Sequence, residues 1–369
     1  MRIAFDPQAF AIAQYGGISR YFYKLIDNLI EKECVDVKVF APIYINEYID
    51  GLPKEVFSGL KIAKIQKMAV IRQTASLLLS RPFIHRYQPH ILHETYYSKF
   101  SYKPEKSRRV VTVYDMIHER YGDSFSRFDT RSRDKITAVM GADHVICISE
   151  NTRHDLLEYI DVPLDKISVI HLGVDSVEEK VSPPPFESSI KQSFPYILYV
   201  GQRGSYKNFN TLVKAYAASR YLLNHIRIIC FGGGKFTNSE LSLFDQLNIQ
   251  EDQIQHVGGG DEILASYYRN AAAFVYPSLY EGFGLPPLEA MTNDCAVICS
   301  NVSSIPEVVG DAGEYFDPED IDSIISAIEN VVGSESRCRH LIEIGKDRAS
   351  QFTWDRCANK TLDVYKSLL

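Results

Sequence analysis

The chain lacks most short signatures that would assign a function outright. It has seven cysteines, at 34, 147, 230, 295, 299, 338 and 357, and no two have CxxC spacing. Cys295 and Cys299 are four apart, but no nearby His or Cys completes a metal-ligand set. Scattered thiols in odd number exclude a disulfide scaffold and suit a reducing compartment, so a cytoplasmic location is expected. Cys147, Cys230, Cys295 and Cys299 lie in or beside apolar runs and read as small core residues. No apolar run approaches a membrane span. The opening Arg-Ile-Ala-Phe-Asp reads as a strand, not a signal peptide. Basic charge is not in excess: a net charge of −7 argues against a nucleic-acid partner. HExxH and GxSxG are absent. Gly232-Gly233-Gly234-Lys235 is not a P-loop, because Ile229 stands where GxxxxGK needs glycine. Gly16-Gly17 is not a GxGxxG fingerprint, and no short repeat is present.

What is present is alternation. Short apolar runs end in glycine or polar loops and are followed by helical periodicity, as at Ile3–Phe5 before Ile18–Ile30 and at Tyr196–Val200 before Phe209–Arg220. Strands are further expected near 35–40, 91–93, 110–113, 145–148, 166–170, 226–231, 254–257, 272–276, 296–299 and 314–316. Ser149 is placed to cap the helix after 145–148. A stretch with Pro183-Pro184-Pro185 and no periodicity separates two such series. The expected fold class is α/β, two doubly wound domains: 1–178, a linker at 179–192, and 193–350.

The chemistry gathers around residues 276 to 291, which read strand end, glycine loop, helix start. Glu281 lies in the loop and Glu289 eight residues on, expected in the first helical turn, with Pro286 and Pro287 between them. Pro286 occupies the position a capping box would give to Ser or Thr, so Glu289 has little local structural reason. A carboxylate can accept two hydroxyl donors, and glycines admit a ligand to the backbone, which suits a polyhydroxylated ligand. Arg203 and Lys207 share one loop before a helix, an arrangement that favours phosphate. Gly16-Gly17 precedes another helix start and could take an anion or simply end a loop. Tyr114-Asp115-Met116-Ile117-His118-Glu119 follows a strand, where open α/β sheets place ligands. Residues 61 to 86 carry six Lys or Arg and no acid, interleaved with apolar residues. They read as a solvated helix with one buried face or as a surface for an anionic membrane.

Glu281-Gly282-Phe283-Gly284-Leu285-Pro286-Pro287-Leu288-Glu289 resembles the E-x7-E motif of retaining GT-B glycosyltransferases of family GT4. Gly201-Gln202-Arg203 with Tyr206-Lys207-Asn208 resembles that family's phosphate loop, Gly16-Gly17-Ile18 its N-terminal glycine loop, and Ser303–Val308 with Gly310–Gly313 its later landmarks. The resemblance implies a GT-B fold of two Rossmann-like domains facing a cleft, and a final segment, 351–369, that packs back on the first domain. It implies sugar transfer from a nucleotide-sugar to a glycan or lipid-linked glycan acceptor, with no metal or cofactor. UDP-sugar is favoured by family prevalence, with GDP-mannose as the alternative. Arg203 and Lys207 would hold the diphosphate, aided by Gly16, Gly17 and Gly232. Glu289 would hold the ribose. Glu281, with Ser278, Gly282, Phe283, Gly284 and Leu285, would face the sugar, and the base would lie near His256 and Val257. Tyr114 stands where many relatives have the catalytic His, so Asp115 and His118 are the substitutes on the acceptor side. Sugar-nucleotide epimerases and glycan phosphorylases share the architecture, and a nucleotide-sugar-binding subunit without turnover is a further reading.

Overall fold

A computed structural model describes residues 1–63, 68–98, 100, 102–122, 129–175 and 194–369. The linker expected at 179–192 lies outside the described residues, as do Lys64 and Lys67 of the basic stretch. The chain divides into two compact units, Met1–Gly173 with Trp354–Leu369, and Val174–Thr353.

The first unit holds strands β1 (Arg2–Phe5), β2 (Asp36–Tyr44), β3 (Phe57–Lys61), β4 (Ile91–Glu94), β5 (Arg108–Val113), β6 (His144–Cys147) and β7 (Ile167–Val169). They pair in parallel in the order β3-β2-β1-β4-β5-β6-β7. All residues of β4 and β6 are buried, as expected when helices cover both faces of a parallel sheet. The described helices are α1 (Gln8–Ile12), α2 (Gly17–Ile30), α3 (Ala69–Tyr87), α4 (Ile117–Arg120), α5 (Arg131–Met140) and α6 (Glu150–Tyr159). Ser149 caps α6, its Oγ accepting from the Thr152 amide at 3.0 Å.

The second unit holds β8 (Tyr196–Val200), β9 (Arg227–Phe231), β10 (Ile254–Val257), β11 (Ala273–Tyr276), β12 (Val297–Ser300) and β13 (Gly313–Phe316). They are parallel in the order β10-β9-β8-β11-β12-β13. Its helices are α7 (Phe209–Ala218), α8 (Arg220–His225), α9 (Asn238–Gln246), α10 (Asp261–Asn270), α11 (Leu285–Thr292), α12 (Ile305–Val309), α13 (Ile321–Val332) and α14 (Glu335–Ala349). Ile197, Phe209, Leu212, Ile228, Val275, Ile298, Ile324 and Ile328 share one core, so strand and helix faces meet as their periodicities require. Cys147, Cys230 and Cys299 are buried in strands β6, β9 and β12, and Cys295 is buried just before β12.

The last helix, α15 (Trp354–Ser367), returns to the first unit and packs on α2. A buried imidazole fastens it. His93 on β4 contacts the Tyr365 hydroxyl with one ring nitrogen and the Thr112 hydroxyl with the other. Burial pushes His93 down to about 3, so it is neutral in the fold.

Several elements escape the sequence reading, among them β3, α1, α5, α8, α12 and α9. Strand β3 is an edge strand with four exposed residues, so it carries no alternation to detect. Helix α1 is only five residues long. Helix α9 did carry a signal: Thr237 and Glu240 form a capping box. One placement is corrected. Glu289 is the fifth residue of α11, one turn further in than expected, and the first turn contains no acid. Complementing the helix dipole is therefore not its role.

Candidate functional site

In each sheet the strand order reverses once, between β1 and β4 and between β8 and β11. Loops leaving neighbouring strands in opposite directions open a crevice at such a point. In the second unit those loops are 201–208 and 277–284, and they carry the residues singled out from sequence.

The loop after β8 turns at Gly201, whose φ of +113° few side chains tolerate. It makes one 3-10 turn over Ser205–Lys207 before α7 begins. Lys207 Nζ then reaches Glu281 Oε1 at 2.7 Å, 74 residues away. The ammonium also lies 5.1 Å from the Tyr206 ring centre and 5.8 Å from that of Tyr276. The Leu279 amide donates to the Tyr206 carbonyl at 2.7 Å, joining the two loops by backbone. Ser303 and Ser304 brace the acidic loop. Ser303 Oγ accepts from the Glu281 amide at 3.0 Å, and Ser304 Oγ donates to the carbonyls of Glu281 and Phe283, each at 2.9 Å. Gly284, at φ +103°, then starts α11. Gly282 and Leu285 flank this turn, and Glu289 is half-buried one turn into the helix.

Arg203 goes elsewhere. Its Nε donates to Glu240 Oε1 at 2.7 Å, and its Nη atoms donate to the carbonyls of Gly232, Gly234 and Lys235 at 3.0, 2.8 and 3.0 Å. It stacks over Phe236 at 4.8 Å. The two cations of one loop thus diverge: Lys207 meets the acidic loop, and Arg203 clamps the glycine loop onto α9. The clamped loop is strained for any residue but glycine, with φ of +78°, +70° and +78° at Gly232, Gly233 and Gly234. Burial alone would raise the Glu240 carboxyl. The Thr237 amide and hydroxyl and the Arg203 guanidinium more than offset this and hold it below the usual range.

Two buried polar atoms of the residues expected at the site have no partner among the described residues, Ser278 Oγ and His256 Nε2. Such orphans in a folded protein call for a water or a ligand. Val257 offers less, because its carbonyl already accepts from the Gly232 amide at 2.9 Å.

In the first unit, Gly16 caps α2 in an extended conformation and Gly17 is its first residue. A Cβ on Gly17 would meet nothing within 4 Å, so the fold itself does not demand glycine there. After β5, Tyr114 turns inward and its hydroxyl donates to the Thr95 carbonyl at 3.0 Å. Asp115 Oδ1 accepts from the Ile117 amide at 3.1 Å and starts α4. Beneath it lies a lysine that sequence reading passed over. Lys135 is buried, and its Nζ donates to the Asp115 carbonyl and to Glu119 Oε2, both at 2.7 Å. One lysine in a polar helix carries no pattern that announces burial. His118 lies against Arg131 and Asp129. Burial lowers its pKa and outweighs the opposing Asp115 carboxylate, so it is held neutral and able to accept a proton.

Comparisons with known proteins follow the same division. The family described as "Glycosyltransferase Family 4" matches residues 15–178, and "Glycosyl transferases group 1" matches 184–348. O-antigen chain mannosyltransferase B of Escherichia coli is 30% identical over 95% of this chain and 96% of its own length. Serotype-specific mannosyltransferase WbdA of Escherichia coli is 28% identical over 71% of this chain, which spans 34% of that longer protein. Among solved structures, sucrose-phosphate synthase from Thermosynechococcus elongatus superposes with a TM-score of 0.77 at 20% identity, covering 100% of this chain and 98% of its own.

Proposed function

Because the chain belongs to the group 1, family 4 glycosyltransferases and has their GT-B fold, we propose that it moves a mannosyl residue from a nucleoside-diphosphate donor to a glycan hydroxyl, with retention at the anomeric carbon. Relatives named as mannosyltransferases support mannose as the transferred sugar, and we take GDP-mannose, the alternative donor, ahead of a UDP-sugar on that ground. The observation that carries the reading is the Lys207–Glu281 pair at the β8/β11 switch point, a cation and a carboxylate on adjoining loops.

In this reading the pair is the resting state. A donor's diphosphate takes over the Lys207 ammonium, which then stabilises the charge that develops as the leaving group departs. Glu281, released from Lys207, accepts from the hydroxyls of the transferred sugar. Glu289 accepts from the ribose hydroxyls, and Ser278 and His256 offer their unpaired atoms to the ligand. Arg203 acts at one remove, by fixing the glycine loop. The amides at Gly16 and Gly17 add donors toward the phosphates, and Asp115 with neutral His118 serves the incoming hydroxyl. No divalent metal enters these roles, because a fixed cation supplies the charge.

The test is a donor panel containing GDP-mannose and several UDP-sugars, read by nucleotide release with and without a chelator. Proton NMR of the product then reports anomeric configuration. GDP release, unaffected by chelator and giving the donor's own anomeric configuration, is expected. Turnover confined to UDP-sugars overturns the mannosyl reading, and an inverted product overturns retention.

A further inference from the structure

Helix α5 carries one residue against its pattern. Its buried positions are Lys135, Ala138 and Val139, spaced i, i+3 and i+4, so a lysine stands on the face that packs inward. Only 2% of the Lys135 side chain is exposed. An ammonium in that position loses its water and must be given acceptors. They come from a single segment. Nζ donates to the Asp115 carbonyl and to Glu119 Oε2, both at 2.7 Å. It also lies 3.8 Å from Asp115 Oδ1 and from Met116 Sδ. The Tyr97 ring centre is 5.6 Å away. Lys135 thus grips the first and the last residue of 115–119, the turn that follows β5.

Stability gives a weak reason for this arrangement. A buried ion pair replaced by apolar side chains of similar volume is often as stable or more so. An apolar residue at 135 could fill the space, yet it could not hold a carbonyl and a carboxylate at once. The turn needs holding, because α4 is four residues long and so short a helix is unstable by itself. Asp115 and His118 ride on that turn. Asp115 keeps 35% of its side chain exposed, whereas Glu119, at 3%, is committed to Lys135.

Charge adds to position. The groups that act most on His118 are Asp115 on the turn, Lys135 and Arg131 on α5, and Asp129 just before α5. Burial, the largest effect, disfavours the imidazolium. The two carboxylates favour it, and the two cations oppose it, Lys135 more strongly than Arg131. Arg131 Nη1 donates to His118 Nε2 at 3.2 Å, a bond that only a neutral ring can accept. The neighbouring phenols of Tyr96 and Tyr97 are raised by burial and stay uncharged.

We infer that Lys135 is a positioning residue for the acceptor side of the reaction: it ties both ends of residues 115–119 and so sets where Asp115 and His118 stand. The inference rests on the reading that those two residues serve the incoming hydroxyl.

Three variants of the full chain test it: Lys135→Met, Lys135→Arg and the double variant Lys135→Met/Glu119→Gln. Lys135→Met alone strands the Glu119 carboxylate, so the double variant, which removes both buried charges, is the safer for folding. The His118 ring is titrated by NMR of histidine-labelled protein, its signal identified by its loss in His118→Gln. Turnover is read as GDP release from GDP-mannose with a mannose-terminated oligosaccharide as acceptor, and a thermal melt reports the fold. Without the ammonium, in Lys135→Met and in the double variant, the His118 pKa should move up and the acid limb of kcat/KM should move up with it. Lys135→Arg keeps the charge, so its His118 titration should stay near the parent's. Its planar fork does not fit a site shaped for an ammonium, so kcat should still fall at least about tenfold through misplacement. An unmoved His118 titration in a folded variant without the ammonium overturns the inference. So does parental kcat in both Lys135→Arg and the double variant. Lower stability with titration and kcat unmoved would make Lys135 a core residue only, and also overturns it. A titration that moves as expected, with kcat/KM unresponsive to it, overturns instead the acceptor role of His118 and leaves Lys135 holding the turn. The NMR measurement needs no substrate, so it decides even if GDP-mannose is not turned over, an outcome that fails the donor reading alone.

Discussion

The two switch points of this molecule have the same topology and opposite chemistry. In the first unit the crevice between β1 and β4 is filled by the chain itself. Asp6 accepts from the Thr95 amide and hydroxyl and from the Gln8 amide and side chain. Burial raises its carboxyl, although these bonds act in the other direction. In the second unit the crevice between β8 and β11 is bridged by Lys207 and Glu281, partly exposed, at 21 and 11%. A closed polar network fixes loop shape and leaves nothing to offer. An ion pair with solvent access can exchange its partner for a ligand. Sheet order therefore marks two crevices, and side-chain satisfaction tells which of them is poised to bind.

The sharpest way to break this comparison is Arg203→Ala. It leaves the Glu240 carboxylate buried without its cation and frees the glycine loop, so unfolding stability should fall by about 3 kcal/mol or more. Arg203→Lys should restore little, since one ammonium cannot replace the fork that spans Glu240 and three carbonyls. Chemical denaturation measures both, and unaltered stability in Arg203→Ala would remove the clamp.

Lys207→Ala should do the converse. Turnover is expected to drop on the order of 10²-fold, about 2.7 kcal/mol of transition-state stabilisation, with a melting temperature close to that of the parent. Steady-state kinetics beside a thermal melt would separate the two cations of one loop.

The first unit's buried polar groups predict a pH effect instead. His93 is held neutral with its pKa near 3, whereas the unfolded chain's imidazole titrates near 6.5. As pH falls below about 6.5 the unfolded state takes up the proton first. Stability present above that pH is then lost toward 3 at about 1.4 kcal/mol per unit. Urea titrations at pH 6.5 and pH 5 should show a loss of about 2 kcal/mol from this group. His93→Phe should flatten that slope while being less stable at neutral pH, through its lost contacts to Tyr365 and Thr112.

The smallest expected effect is that of Gly17→Ala. Its Cβ enters open space, so stability should not change. If a donor phosphate approaches those amides, kcat/KM should fall about tenfold, about 1.4 kcal/mol. Unchanged kcat/KM would take the α2 start out of the site.

Much of this was legible in the sequence for a simple reason. Short apolar runs alternating with helical periodicity, and glycines at strand ends, are local signals, and they located twelve of the thirteen strands among the described residues. The exception, β3, is an edge strand with little to bury. The site loops were legible too, because glycines and charged residues cluster in them. Illegible were the partners. Arg203 and Lys207 look equivalent four residues apart, yet one finds Glu240 and the other Glu281. Lys135 looks like any helical lysine until Asp115 and Glu119 close over it. The basic stretch at 61–86 reads as charge, whereas the structure neutralises or buries Lys61 and Arg72 and leaves Val70, Ile71, Leu78, Leu79 and Phe83 exposed while burying Leu77 and Ile84.

Sequence by itself determined the two α/β units, the loops that carry chemistry and the residue types available in them, because these follow from periodicity and turn propensity over a few residues. Tertiary structure alone decided which cation is committed to the fold and which stands at the crevice, and which residues of α3 meet solvent. Those outcomes depend on contacts between residues far apart in the chain, such as Lys207 with Glu281 or Arg72 with Ala11, where desolvation and pairing decide the balance and local pattern is silent.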